Sequence, residues 1–109
     1  VYNFGCVCVH PYWTRFCAEQ LKGTDIEIAT VVGFPMGQNT PEEKAFETKR
    51  AIEDGATEID MVMNVAAFKD KHYDFVKEDI QGVVEAAGGN LVKVILETGY
   101  LTYEEVMEA

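Results

Sequence analysis

Short apolar runs rich in β-branched residues alternate along the chain with longer stretches whose apolar positions recur at helical spacing. Four runs read as strands: Gly5 to Val9, Glu27 to Phe34, Glu58 to Asn64 and Leu91 to Glu97. Helix chemistry follows each. Trp13, Phe16, Cys17 and Leu21 place a helix over Pro11 to Leu21, with Gly23 as a stop signal. Thr40-Pro41-Glu42-Glu43 supplies an N-cap, a proline at the first helical position and a capping-box glutamate, and Gly55 closes that helix. A third helix, Lys71 to Ala87, sets Val76, Ile80, Val83, Val84 and Ala87 on one stripe and stops at Gly88-Gly89. The fourth opens at Thr102, with Glu105 as its reciprocal capping partner.

This alternation predicts right-handed βαβ crossovers and a parallel sheet. Strands covered on both faces should be apolar almost throughout, and Ile28-Ala29-Thr30-Val31-Val32 fits. An open doubly wound sheet and a segment of a βα barrel both satisfy the pattern. No Gly-x-Gly-x-x-Gly turn follows the first strand, which favours the barrel. Residues 1–109 show no linker or low-complexity tract, so the expectation is one α/β segment of a TIM (βα)8 barrel without an internal domain boundary. A typical barrel has about 250 residues, so four βα units make roughly half of one. The start, Val1-Tyr2-Asn3-Phe4, has neither an initiator methionine nor a signal pattern, and Glu104 to Ala109 reads as an unfinished helix. The chain is therefore expected to be a piece of something longer.

Nineteen acidic against nine basic side chains give a net charge of −10. That excess repels phosphate backbones and anionic lipid, so neither a nucleic acid nor a membrane is expected as a partner. No apolar run approaches the roughly 18 residues of a membrane span. Three cysteines, an odd number, point to reduced thiols in the cytoplasm. Cys6, Cys8 and His10 alternate onto one strand face, but neighbours there lie about 6.6 Å apart, wide for a shared zinc. No metal is expected.

Polar residues inside the strands carry the chemical signal. Glu58, Asp60, Val62 and Asn64 share one face of the third strand, and Leu91, Lys93, Ile95 and Glu97 share one face of the fourth. If these strands are neighbours, Asp60 and Lys93 both point into the barrel. A buried carboxylate and ammonium without partners would each cost several kcal/mol, so they should pair with each other or with a bound molecule. An interior ion pair would need no chemical role; the functional alternative is that Asp60 moves protons while Lys93 tunes it or contacts substrate. Barrel enzymes place such groups toward the carboxyl ends of the strands, where Asn64, Glu97, His10 and the turn Gly33 to Gln38 also fall. Glycines 33 and 37 would permit unusual backbone angles and close approach to a ligand.

Four segments, in order and with compatible spacing, resemble the deoxyribose-phosphate aldolase family: Gly5-Cys6-Val7-Cys8-Val9-His10-Pro11, Ala29 to Gly37, Glu47-Thr48-Lys49 with Gly55 to Val62, and Leu91 to Thr98. The resemblance implies a class I aldolase that reversibly cleaves 2-deoxy-D-ribose 5-phosphate to glyceraldehyde 3-phosphate and acetaldehyde. The reaction runs through a lysine Schiff base with no metal or other cofactor. By the same resemblance Asp60 and Lys93 are catalytic, and Cys8 and Phe34 line the substrate cavity. The family's Schiff-base lysine lies in a Lys-Thr-Ser-Thr-Gly motif on the next strand, which would follow Ala109. The first strand and the phosphate-binding loops of the last two strands are also missing, so these residues match the second to fifth strands. Alternatives are another βα-barrel enzyme or a non-catalytic half-barrel. Unpaired edge strands and an uncovered inner face predict association, as a homo-oligomer or with the missing half.

Overall fold

The protein is described by a computed structural model over residues 2–109; Val1, at the start considered above, lies outside the described residues. Four strands, β1 (Cys6–Val9), β2 (Glu27–Val32), β3 (Glu58–Val62) and β4 (Leu91–Ile95), form one parallel sheet in the order β1-β2-β3-β4. Helices α1 (Pro11–Gln20), α2 (Pro41–Glu53) and α4 (Tyr73–Ala86) connect them, while α3 (Val65–Lys69) and α5 (Tyr103–Glu108) are short.

β2 forms where the sequence is most continuously apolar, and Ile28 to Val32 are all buried. The one polar residue of that buried run, Thr30, is satisfied from α1, since Thr14 Oγ1 lies 2.8 Å from Thr30 Oγ1. On the helix-covered side, Val32, Ile59 and Met61 pack with Ala51 of α2 and with Val83 and Ala87 at the end of α4. A fully buried side chain such as Ile59 contributes about 1.5–3 kcal/mol of transfer free energy. The expected capping boxes at Thr40/Glu43 and Thr102/Glu105 are both formed.

Three local expectations change. β2 ends at Val32, not Phe34, because Gly33 turns to φ 64° and the chain leaves the sheet. β3 and β4 likewise stop at Val62 and Ile95. The long third helix starts at Tyr73, preceded by α3, whose first turn Asn64 caps by accepting a hydrogen bond from the Ala67 amide at 3.1 Å. The two helices are separated at Lys71, which takes φ 61°. Asn64 is thus a helix cap rather than a strand residue facing inward.

Candidate active site

The uncovered strand face gathers the ionisable residues. β3 and β4 pair with Asp60 opposite Lys93, which puts both side chains on that face at the same height. Lys93 Nζ donates to Glu58 Oε2 at 2.7 Å and stands 2.9 Å from Asp60 Oδ1. Glu58 and Asp60 meet the same ammonium because residues two apart on a strand face the same way. From β1, the Cys8 thiol donates to Asp60 Oδ2 at 3.4 Å and the Cys6 thiol to Glu58 Oε2 at 3.8 Å. Between them stands Ala29, opposite Cys8 on one side and Glu58 on the other, too small to block the reach.

The expected pairing of Asp60 with Lys93 is therefore present, but not as a buried pair: the Lys93 side chain is 46% exposed. Four strands leave this face without a facing wall. Electrostatically the cluster has two carboxylates around one ammonium. The Glu58 hydrogen bond, then that of Asp60, raise the Lys93 pKa far above the ordinary lysine range. Burial, then the hydrogen bond and charge of Asp60, push the Cys8 thiol up, and burial does the same for Cys6. Both thiols are held in the protonated, weakly nucleophilic form.

Phe34 sits on the rim, its ring packed edge-on against His10 at 5.3 Å between centroids. Cys8, Asp60 and Lys93 come together within hydrogen-bonding reach; Phe34 stands apart from that cluster, at the carboxyl ends of β1 and β2. The glycines of the turn serve the chain's own packing: a Cβ on Gly37 would fall 2.1 Å from the Met63 carbonyl oxygen, and one on Gly33 2.9 Å from Lys44 Cε. On the side a Cβ would occupy, the close approach is to lysine at Gly33 and to backbone at Gly37. Past the carboxyl ends of β2, β3 and β4, a depression of about 390 Å³ is lined by Pro35, Met36, Val65, Lys69, Glu97 and Tyr100, none of them a member of the cluster.

Sequence reasoning missed Glu58 as a second partner of Lys93, although its spacing from Asp60 was the signal. It missed Lys44 and Asp79 completely. Lys44 of α2 and Asp79 of α4 are fully buried and paired at 2.5 Å, with Lys44 Nζ also donating to the Val62 carbonyl at 3.0 Å.

Parallel strands in sequential order, helices over one face and ionisable groups on the other define a partial TIM barrel with an enzyme-like strand face. A family model described as DeoC/LacD family aldolase matches residues 2–108. A deoxyribose-phosphate aldolase of Streptococcus sanguinis is 59% identical over 109 residues, covering 100% of this chain and 50% of the relative. Among solved structures, a candidate deoxyribose-phosphate aldolase from Coccidioides immitis superposes with TM-score 0.94 at 40% identity, covering 97% of this chain and 42% of the other. The deoxyribose phosphate aldolase from Aeropyrum pernix, described as a tetramer of unique structure, gives 0.84 at 30% identity, over 96% of this chain and 44% of the other. The chain belongs to the DeoC/LacD aldolase family, and it spans about half the length of the curated relatives it matches. Among the described residues, no helix is long and apolar enough to cross a membrane.

Proposed function

We propose that this chain forms the second to fifth strands of a deoxyribose-phosphate aldolase, which reversibly cleaves 2-deoxy-D-ribose 5-phosphate to glyceraldehyde 3-phosphate and acetaldehyde. The observation that carries the reading is the Cys8–Asp60–Lys93 cluster, three residues from three strands meeting on the inward face. Asp60 is the proton carrier, taking up and returning protons as the carbinolamine loses water and the enamine forms. Lys93 holds Asp60 in place and keeps it in the field of a fixed positive charge. Cys8 and Phe34 line the cavity for the small aldehyde part of the substrate.

Lys93 is not the nucleophile in this reading. Schiff-base formation needs a neutral amine, and two carboxylates stabilise the Lys93 ammonium. The nucleophile is assigned instead to the lysine of the family's next strand, and the phosphate site to the last two strands. The reading calls for no metal or other cofactor. The tetrameric relative supports a homo-oligomer, built on complete barrels, and three free thiols support a cytoplasmic setting.

Borohydride reduction in the presence of 2-deoxy-D-ribose 5-phosphate, followed by peptide mass spectrometry, tests the assignment. The 109-residue chain should take up no adduct, and the full-length polypeptide should be labelled on a lysine after Ala109. A stable adduct on Lys93 would overturn it.

A further inference from the structure

At the carboxyl ends of β2 and β3, side chains of α2 take hold of both backbones. The β2–β3 register runs from Ala29 beside Glu58 to Val32 beside Met61, so Gly33 and Val62 occupy the next row. In that row the Gly33 amide donates to Glu47 Oε2 at 2.8 Å, and the Val62 carbonyl accepts from Lys44 Nζ at 3.0 Å. Lys44 and Glu47 are three residues apart on α2 and so lie on one side of it. The same ammonium pairs with Asp79 of α4, and its stem runs so close to Gly33 that no Cβ would fit without displacing it.

One buried charge therefore joins α2, α4 and the end of β3, with the end of β2 held beside it. Phe34 follows Gly33 directly, and Asp60 precedes Val62 by two residues. We infer that Lys44, Glu47 and Asp79 form a positioning clamp that sets Phe34 and Asp60 relative to each other. This rests on the proposed function for what Asp60 and Phe34 do. A purely stabilising role explains the arrangement poorly, because buried ion pairs replaced by apolar residues of similar volume are often neutral or more stable. What an apolar pair cannot supply is a donor for the Val62 carbonyl.

The test is the double variant Lys44→Met/Asp79→Leu of the full-length protein. Its melting temperature should fall by only a few degrees at most, because removing two buried charges offsets the donor lost to the Val62 carbonyl. kcat should fall about ten- to hundredfold with little change in KM, the scale of a misplacement of about 1 Å. Alkylation of Cys8 by iodoacetamide, followed on its own peptide against pH, should shift to a lower midpoint as the thiol loses its Asp60 neighbour. A folded double variant with parental kcat and parental Cys8 midpoint overturns the clamp. If that variant does not fold, Glu47 decides, since its side chain is only partly buried. Glu47→Met should lose activity, whereas Glu47→Gln, whose amide oxygen still accepts from Gly33, should recover most of it. Parental activity in both would refute the clamp. A full-length parent without aldolase activity would sink the proposed function, while the Cys8 midpoint, which needs no substrate, would still judge the clamp.

Discussion

Lys93 and Lys44 are both salt-bridged, on opposite faces of the same sheet. Lys93 stands between Glu58 and Asp60 on the uncovered face, where its side chain is 46% exposed. Lys44 lies under the helices with an exposure of 0% and pairs with an equally inaccessible Asp79. The first ammonium meets an excess of carboxylate and keeps water; the second has given up water and depends on Asp79 and one carbonyl. Identical chemistry is thus available for tuning on one face and committed to architecture on the other.

The sharpest way to break this contrast is Asp79→Ala, which strands a buried ammonium. It should lower the stability of the 109-residue chain by about 3–5 kcal/mol in urea unfolding. Lys93→Met should cost only about 0–1 kcal/mol in the same assay, since a half-exposed pair is screened by solvent. Lys93 has a raised pKa, so its contribution is complete below the ordinary lysine range and is lost only as pH rises through the raised value. Between about pH 6 and 9 the parent and Lys93→Met stability curves should therefore run parallel. A loss for Lys93→Met as large as that for Asp79→Ala would erase the distinction.

Two smaller effects sharpen it. Asp60→Asn should lower the Cys8 alkylation midpoint part of the way toward an ordinary thiol, because burial, the larger cause of the shift, remains. On the outer surface, the Arg15 guanidinium holds the Asp54 carboxyl below the usual carboxylate range. What that pair contributes is present above the usual range and fades as pH falls through the depressed value. Arg15→Met should return the Asp54 titration, followed by NMR, toward its ordinary position.

The contrast also marks what could be read in the sequence. Alternation within β3 and β4 put Asp60 and Lys93 on one face, because side chains on a strand alternate regardless of tertiary detail. The capping boxes at Thr40 and Thr102 were legible for a similar reason, since the partners sit three residues apart. Lys44 and Asp79 were not. Their only signal is placement: Lys44 falls four residues before buried Thr48, and Asp79 three after Val76 and four before Val83, each on the inward stripe of its helix. A charge on such a stripe gains meaning only when the opposite charge on the facing helix is known. The split between α3 and α4 was hidden because Asn64 reads equally well as a strand end and as a cap.

Every ladder in the sheet joins strands that are consecutive in the chain. A polypeptide leaving the ribosome can therefore add one strand and one helix at a time, each new strand docking on the one just made. No loop longer than a single crossover has to close at any of these steps, which keeps the entropic cost of each small. The clamp on Val62 is the exception in timing: Lys44 is in place early, but its carboxylate partner arrives only with α4. The charge balance at the end of β3 is therefore complete only once α4 has docked.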